Sequence, residues 1–379
     1  MRNGPVTRAD LIQFTGVSQP TITHWLKELI AADLVNEVGI SSAGSSLGRP
    51  RVLLELNSDA AYVGAMHITS RSAEVGLVNI KGETIAFDTI RWDAANMAYS
   101  EALVKKLTGQ LLAWLSNMRL PPHKILGLGV ATSGPIDNDL GLVASYSSVD
   151  GKWAREYFPL RRLLQQCIPF PLYMETNAWA IALGERWFGR GFNNFVTIHV
   201  HEGIGAGTIL NGKLYKGSGL AGELFSVNVT LANPQSPLQG QRQRINDIVS
   251  RSNIITRLNN TDGFNGITEV VQAALRNEEK AVSVLMDCAE AIAVICSPIA
   301  NLLDLDAIVL SGPIFGVPAV MDYIQTYMQK YTFAASMEGR SPVVVEAMFK
   351  QNAGLVGAAS LVYDQVFHCG SKAPLAHVD

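Results

Sequence analysis

Residues 7–35 read TRADLIQFTGVSQPTITHWLKELIAADLV, and this stretch decides the fold of the N-terminal part of the chain. Its apolar residues fall at the three- and four-residue steps that pin two short helices together. Those residues are Leu11, Val17, Ile22, Trp25, Leu26 and Leu29. Gly16 permits the left-handed backbone of a turn, Ser18 is a good N-cap, and Pro20 fits the first turn of a second helix. The pattern predicts a helix-turn-helix, whose second helix enters the major groove of DNA.

The polar face of the second helix is what favours DNA binding, because an ordinary helical hairpin would have the same apolar spacing. Nearly all residues on this face are hydrogen-bonding types that can reach base edges or phosphates. The candidate DNA-binding residues are Ser18, Gln19, Thr21, Thr23, His24 and Lys27. We expect the segment from Ser18 to Ile30 to be the recognition helix.

A Gly/Ser-rich segment at residues 39–48 leads through Gly48-Arg49-Pro50-Arg51 into an apolar strand at residues 52–56. This pattern predicts a β-wing, with Arg49 and Arg51 placed to meet the DNA backbone or the minor groove. Residues 1–57 hold five Lys/Arg and five Asp/Glu, so the module is not a strongly basic patch. Affinity should therefore rest on few phosphate contacts per copy, and we expect two copies at each DNA site.

The composition is that of a well-packed protein of two or three domains, since 48% of its 379 residues are hydrophobic and 17% are charged. The polar N-terminal residues argue against a signal peptide. The most apolar segment, residues 289–303, contains Glu290, Pro298 and Asn301 and is shorter than a membrane span, so no membrane association is expected. The four cysteines form no C-x-x-C pair. This spacing favours reduced thiols in a cytoplasmic protein.

From about Ser58 onward, the pattern becomes α/β, with short apolar runs that predict strands and longer runs that predict helices. The predicted strands are residues 62–68, 73–79, 84–91, 125–132, 172–174, 196–200 and 307–310. The predicted helices include residues 98–118 and 177–188. The strand at residues 196–200 opens into the glycine loop Gly203-Ile204-Gly205-Ala206-Gly207. Such loops at strand ends are where α/β proteins commonly receive ligands.

Several motifs in a fixed order make essentially the whole chain resemble the ROK family (repressors, open reading frames and kinases). They are Gly48-Arg49-Pro50, Gly127-Leu128-Gly129, Ser133-Gly134-Pro135-Ile136-Asp137, Ala182-Leu183-Gly184-Glu185, Gly203-Ile204-Gly205-Ala206-Gly207 and Gly217-Ser218-Gly219-Leu220-Ala221-Gly222-Glu223. The resemblance implies an α/β protein with an N-terminal winged helix-turn-helix, residues 1–57, and a two-lobed actin-like ATPase (ribonuclease H-like) domain, residues 58–379. Lobe one would comprise about residues 58–175 plus the C-terminal helix, and lobe two about residues 176–355. Family members close these lobes on a sugar, which they either phosphorylate or sense as transcription factors.

The residues that a kinase of this family uses for phosphoryl transfer are replaced. In the kinases, the Asp of an Asn-Asp-x-Asn run accepts the proton of the sugar hydroxyl, and that run here is Thr176-Asn177-Ala178-Trp179. The amide of Asn177 cannot accept this proton, which leaves Glu175 as the alternative base. The first phosphate loop, Asp-x-Gly-x-Thr in the family, reads His67-Ile68-Thr69-Ser70-Arg71. In the second loop, the Glu202 carboxylate would repel a polyphosphate. The resemblance therefore implies a regulator without enzyme activity and without a cofactor.

The zinc site of many family members is also missing from the sequence. Phe225-Ser226 stands in place of a Gly-His pair, and residues 237–246, PLQGQRQRIN, replace the three-cysteine cluster. His199 and His201 alternate along a predicted strand, so we expect them on opposite sides of it and not as a pair of ligands. No metal is expected.

The sugar pocket implied by the resemblance is partly retained. The candidate ligand-binding residues are Ser133, Asn177, Glu223, Ser226 and Asn246. All of these side chains can hydrogen-bond a polyol. The alternative is a vestigial pocket, or one occluded by Trp179 or Phe225.

Together, the residues and the resemblance favour a cytoplasmic DNA-binding transcriptional regulator, of the repressor type, that responds to a sugar or sugar phosphate. We expect it to bind double-stranded operator DNA as a homodimer or homotetramer. Two alternatives remain open. One is a sugar kinase with an added DNA-binding domain, and the other is a DNA-bound regulator controlled by a protein partner.

Overall fold

The computed structural model describes residues 4–41, 51–92, 100–137, 140–149, 152–259, 264–333 and 342–368. These residues form a small N-terminal unit and two five-stranded sheets flanked by helices. Arg49 and the rest of the segment between the two predicted wing strands, residues 42–50, lie outside the described residues.

The N-terminal unit consists of two helices and a three-stranded antiparallel sheet. Its elements are β1 (Val6–Thr7), α1 (Arg8–Thr15), α2 (Gln19–Ala31), β2 (Val35–Ser41) and β3 (Arg51–Leu56), with strand order β1-β3-β2. The Thr7 hydroxyl accepts a hydrogen bond from the Asp10 N–H, and the Asp10 carboxylate accepts one from the Thr7 N–H. This reciprocal cap fixes the start of α1. The helix ends where Gly16 adopts a φ of +66°, a conformation that glycine reaches without strain.

Burial in this unit corrects one part of the prediction. The small core contains Ile22 and Leu26 of α2 together with Val35 and Leu54. Trp25 and Leu29, however, are 48% and 37% exposed, so they do not pin α2 to its neighbours. Both residues have the correct helical spacing but lie at the margin of the apolar stripe, where the partner elements no longer cover them.

The first sheet combines an antiparallel meander with two parallel strands. Its strands are β4 (Tyr62–Ile68), β5 (Ser72–Asn79), β6 (Thr84–Arg91), β7 (Ile125–Thr132) and β11 (Leu172–Thr176), in the order β11-β7-β4-β5-β6. Next to it in sequence are the helices α3 (Glu101–Asn117) and α4 (Leu160–Cys167) and a small sheet of β8 (Ile136–Asp137), β9 (Leu142–Val149) and β10 (Lys152–Phe158). We call this assembly lobe one.

The second sheet repeats the arrangement and forms lobe two. Its strands are β12 (Phe195–Val200), β13 (Ile204–Leu210), β14 (Lys213–Tyr215), β17 (Ala307–Ser311) and β18 (Val343–Glu346), in the order β18-β17-β12-β13-β14. The remaining elements are α5 (Asn177–Phe188), β15 (Asn228–Thr230), β16 (Arg242–Arg244), α6 (Ile245–Val249), α7 (Arg251–Asn259), α8 (Ile267–Leu275), α9 (Glu279–Leu303) and α10 (Pro318–Tyr331). In each sheet the first strand, β4 or β12, has an antiparallel meander on one side and parallel strands on the other. The two lobes therefore share one topology.

Helices α5 and α11 (Ala353–His368) pack directly against each other, and glycines permit their close approach. A Cβ atom on Gly357 would lie 2.7 Å from the backbone carbonyl of Ala180. On β7, a Cβ atom on Gly129 would lie 1.8 Å from the carbonyl oxygen of Ala358 in α11. Because both neighbours are backbone atoms, neither site has room for a side chain.

One helix among the described residues, α9, is long and apolar enough to cross a membrane. Of its most apolar stretch, 67% is buried against the rest of the protein, and the helix carries buried Asp287 and Glu290. These observations fit a core helix of lobe two.

Two ion pairs hold the N-terminal unit against one end of the first sheet. Lys124, immediately before β7, lies 3.7 Å from the Asp33 carboxylate. Lys81, between β5 and β6, lies 2.9 Å from the Glu55 carboxylate of β3. Both lysines belong to lobe one and both carboxylates to the N-terminal unit, so this contact connects the two.

Candidate functional site

A cleft of about 170 Å³ lies where the carboxyl ends of β7, β11 and β12 come together. Residues at the three strand ends that line it are Thr132 and Ser133, Thr176 and Asn177, and His199, His201 and Glu202. The glycine loop at residues 203–205 and the segment at residues 221–223 complete its wall. Strand ends and a glycine loop are the expected place for a ligand in an α/β fold.

One end of the cleft is built to hydrogen-bond an uncharged polar ligand. The Asn177 side chain donates from Nδ2 to the Ser133 hydroxyl over 3.0 Å. Asn177 is only 8% exposed, and its Oδ1 atom has no hydrogen-bond partner among the described residues. A buried acceptor without a donor is costly, and a ligand hydroxyl would satisfy it. We call the part of the cleft around Ser133, Asn177 and Glu223 the hydroxyl end.

The other predicted ligand-binding residues are placed differently. Glu223 lines the cleft, and partial burial raises the pKa of its carboxyl above the usual range. Asn246 does not line the cleft directly, but its Oδ1 would be 2.9 Å from a Cβ atom on Gly203, which does. Ser226 is exposed and lies outside the lining. The structure therefore brings Ser133, Asn177 and Glu223 into one cleft, places Asn246 behind its wall, and leaves Ser226 apart.

Glu175, the alternative base, is not free in the cleft. It is 7% exposed, does not line the cleft, and its carboxylate contacts the Lys216 ammonium group. Lys216 also lies 5.4 Å from the centre of the Trp179 ring, whose Nε1 donates to the Ala221 carbonyl over 2.8 Å. Trp179 thus forms a wall of the cleft and fixes the segment that carries Glu223.

A second part of the cleft, which we call the charged end, is organised around Glu202. Its carboxylate lies 3.5 Å from Arg71 Nε and 4.0 Å from Arg251 Nε. Arg71 comes from the turn between β4 and β5 in lobe one, whereas Arg251 is the first residue of α7 in lobe two. The Glu202 carboxylate therefore contacts cations from both lobes.

The placement of His199 and His201 corrects the sequence prediction, which was wrong. Their rings stack with centroids 6.2 Å apart and planes within 14° of parallel. Residues two apart along a strand share a side, because side chains alternate with a period of two. Burial, with repulsion from His201 and His67, lowers the pKa of His199 to about 3. Burial also lowers the pKa of His201, so both rings are neutral at neutral pH.

A buried carboxylate holds the segment between Phe225-Ser226 and residues 237–246, the two places where the resemblance puts the family's zinc ligands. Glu290 of α9 is 4% exposed and accepts hydrogen bonds from the Ala232 N–H over 2.6 Å and the Asn233 N–H over 3.3 Å. No group of three His, Cys, Asp or Glu side chains within the described part of the chain is placed to hold a metal ion.

Replacing Glu290 by glutamine should lower the free energy of unfolding by about 1–3 kcal/mol, because the amide NH₂ would replace one of the two accepting oxygens and face a backbone N–H. Urea unfolding followed by circular dichroism measures this change. Glu279→Gln, on the exposed first turn of the same helix, is the control and should stay within about 0.5 kcal/mol. Equal midpoints for the two variants would contradict a holding role for Glu290.

The predicted DNA-binding face of α2 is accessible to solvent. Gln19, His24 and Lys27 are exposed, and no side-chain partner is found for Gln19 or Lys27 among the described residues. His24 lies 3.3 Å from Glu28 one turn later. Arg51 is exposed at the start of β3. Gln19 and Lys27 are therefore the two α2 side chains that are most available to a partner.

The hydroxyl-bearing residues of this face are partly engaged within the helix. Ser18 is the N-cap residue, but its hydroxyl bonds the Thr21 hydroxyl over 2.8 Å rather than a backbone N–H. Thr23 donates to the Gln19 carbonyl over 2.8 Å. These internal hydrogen bonds leave fewer free donors on the face than the residue types alone indicate.

Sequence reasoning missed Arg71, Lys216 and Glu290 as residues that organise the cleft and its surroundings. Arg71 stood within the altered first phosphate loop, and Glu290 within the apolar helix. The available signal was Glu290, a charge within an apolar helix, since buried charges need partners. The identity of each partner could not be read from the chain.

The sequence model of the ROK family matches residues 64–365. The chain belongs to the ROK family. The two lobes accordingly have the mixed α/β, actin-like fold of this family's sugar kinases.

Curated relatives include bacterial repressors that match nearly the whole chain. The xylose repressor of Bacillus subtilis (strain 168) is 25% identical over 369 residues, which covers 96% of this chain and 92% of that protein. The DNA-binding transcriptional repressor Mlc of Escherichia coli (strain K12) is 22% identical, over 96% of this chain and 91% of that protein.

Solved structures show the same fold at low identity. A ROK family transcriptional regulator described as a homolog of E. coli MLC superposes with a TM-score of 0.68 and 19% identity, covering 96% of this chain and 92% of that chain. The ROK hexokinase of Thermus thermophilus gives a TM-score of 0.60 at 19% identity, covering 81% of this chain and 99% of that chain. The regulator thus matches a larger share of this chain than the kinase does.

Proposed function

We propose that this protein is a DNA-binding transcriptional repressor that senses a sugar in the cleft between its lobes and does not phosphorylate it. The observation that carries the proposal is Asn177. The family resemblance aligns it with the catalytic Asp of the kinases, and its buried Oδ1 has no hydrogen-bond partner among the described residues, at a position that lines the cleft. This group can accept a hydrogen bond from a sugar hydroxyl but cannot remove the hydroxyl proton.

The N-terminal unit supplies the DNA-binding half of the proposal. We assign residues 1–57 as a winged helix-turn-helix with α2 as its recognition helix, and residues 58–379 as the sensing and oligomerisation domain. A helix-turn-helix commonly reads two half-sites with two copies, so a homodimer or homotetramer on operator DNA is expected. Because its named relatives are bacterial transcriptional repressors, which need access to DNA, we place this protein in the cytoplasm.

Sugar binding is coupled to DNA binding through lobe one. Its ion pairs Lys124–Asp33 and Lys81–Glu55 attach the N-terminal unit to the first sheet. A sugar that binds one arrangement of the lobes more tightly than another would shift the population toward that arrangement and carry the attached DNA-binding units with it. The names of its relatives make xylose the first sugar to test.

The Asn177→Ala substitution tests the sensing site. For a sugar that binds the wild type, we expect affinity to fall by roughly tenfold or more, since a buried hydrogen bond and its acceptor are lost. DNA affinity without sugar should be unchanged. Calorimetry with the sugar and fluorescence anisotropy with operator DNA give the two readouts. Asn228→Ala, at an exposed position outside the cleft lining, is the control and should bind both as the wild type does.

The same preparations separate the alternatives. Sugar-dependent ATP turnover by the wild type would favour a kinase with an added DNA-binding domain. Tight DNA binding that no sugar changes would favour control by a protein partner. Loss of sugar affinity in Asn177→Ala, with DNA binding retained and no ATP turnover, is the result that the proposal predicts.

A further inference from the structure

We propose that Glu202 is a built-in anion that sets the ligand specificity of the cleft, admitting uncharged sugars and excluding phosphorylated ones. This inference rests on the proposed function, because it names the class of ligand that the same cleft accepts. It concerns the charged end of the cleft, whereas the sensing proposal rests on the hydroxyl end.

The geometry places one anion between two cations. Arg71 Nε lies 3.5 Å from one Glu202 oxygen, and Arg251 Nε lies 4.0 Å from the other. The Arg251 side chain is 16% exposed and the Glu202 side chain 22% exposed, so the pair is partly shielded from water. Arg251 is also anchored at its outer end, where Nη2 donates to the Asn265 carbonyl over 3.3 Å. This hydrogen bond fixes the position of the Arg251 guanidinium group beside Glu202.

The remaining groups add no net positive charge. His67 lies 3.1 Å from the Glu74 carboxylate, and the buried rings of His199 and His201 are neutral at neutral pH. The Glu202 carboxylate is thus the anion that lies within 4.0 Å of both guanidinium groups. A phosphate group entering this end would have to displace the Glu202 carboxylate from both arginines, and the two anions would repel each other if it did not.

Removal of the Glu202 charge should convert the charged end into an anion site. Arginine pairs with phosphate through two parallel hydrogen bonds, so two freed guanidinium groups beside residue 202, one from each lobe, suit a phosphate or pyrophosphate ion. Because the Glu202 side chain is partly exposed, the isosteric Glu202→Gln substitution should leave the fold intact.

The test measures binding of inorganic pyrophosphate by calorimetry at low ionic strength. We expect Glu202→Gln to bind pyrophosphate roughly tenfold or more tightly than the wild type, since charge-assisted hydrogen bonds become available. The gain should shrink in added salt and disappear in Glu202→Gln/Arg71→Gln. Glu202→Asp keeps the charge and should behave as the wild type does.

Glu278→Gln is the matched control, because it also frees an arginine, Arg276, from a carboxylate 2.7 Å away but does so on the exposed surface. It should gain no pyrophosphate affinity. Equal pyrophosphate affinity in Glu202→Gln and the wild type would overturn the inference, as would tight binding of glucose 6-phosphate by the wild type.

Failure of this inference is distinguishable from failure of the proposed function. If the wild type binds a sugar and releases DNA but Glu202→Gln gains no pyrophosphate affinity, the proposed sugar sensing is supported and the role of Glu202 is overturned. If Glu202→Gln gains pyrophosphate affinity but no sugar binds the wild type, the exclusion of anions is supported and the sensing of an uncharged sugar is overturned.

Discussion

Gly129→Ala should destabilise the protein strongly, because the added methyl group has no space against the α11 backbone. The new Cβ atom would lie 1.8 Å from the carbonyl oxygen of Ala358 and 2.6 Å from its carbonyl carbon. Both atoms belong to the backbone of α11, so relief requires the helix to move away from β7. Overpacking of this kind costs about 3 kcal/mol or more when no side chain can rotate aside. We expect a large fall in the urea midpoint, or failure to obtain folded protein.

Gly109→Ala provides the matched control for this prediction. Gly109 lies in α3, and a Cβ atom there would meet no atom within 4 Å. Alanine should stabilise a helix by about 0.5–1 kcal/mol relative to glycine at such a position. Both substitutions add one methyl group, but we expect Gly129→Ala to lower and Gly109→Ala to raise the free energy of unfolding. This difference in sign tests the packing of α11 on β7. A Gly129→Ala protein as stable as the wild type would show that α11 does not pack on β7 as described.

The second large effect is expected at the DNA-binding face. Replacing Gln19 and Lys27 together by alanine should weaken operator binding by roughly two orders of magnitude while leaving sugar affinity unchanged. Gln19 is exposed at the start of α2, where the side chains of a recognition helix reach base edges, and Lys27 can meet a phosphate. Fluorescence anisotropy against salt concentration separates the two contributions. Loss of Lys27 should reduce the salt slope by about 1, and loss of Gln19 should relax base specificity.

The control for this pair is Gln272→Ala/Lys105→Ala, which removes the same side-chain types from exposed positions on α8 and α3. It should bind operator DNA as the wild type does. If the Gln19→Ala/Lys27→Ala protein also retained full operator affinity, α2 would not be the recognition helix. The Thr23→Ala change alone should have a smaller effect, because the Thr23 hydroxyl is already bonded to the Gln19 carbonyl.

Local patterns in the sequence were sufficient to predict much of the fold. The strands at Tyr62–Ile68, Thr84–Arg91 and Ile125–Thr132 and the helix at Asn177–Phe188 have the predicted bounds. Each is a clear apolar run bounded by turn residues, so the periodicity and the length of the run predict the same element. The exposure of Trp25 and Leu29 was not predictable in this way, because periodicity identifies the apolar stripe but not how far its partners extend.

The candidate site was predictable only in part, because its contacts join residues that are far apart in the chain. The family resemblance placed Ser133, Asn177 and Glu223 together, and the structure puts them in one cleft. Lys216 and Glu175 are 41 residues apart, and Glu290 and Ala232 are 58 apart. No local pattern encodes such pairs. The stacking of His199 and His201, by contrast, follows from strand alternation and should have been predicted correctly.

The central claim is that this protein binds a specific DNA sequence and that its affinity for this DNA changes when a sugar binds in the cleft. Selection of bound DNA from a random pool with the purified protein, repeated with xylose, glucose and their phosphates, tests it most directly. We expect a palindromic consensus whose recovery changes with one uncharged sugar and not with its phosphate. A consensus insensitive to every sugar would contradict the sensing claim, and the absence of any enriched sequence would contradict the assignment of α2 as a DNA-recognition helix.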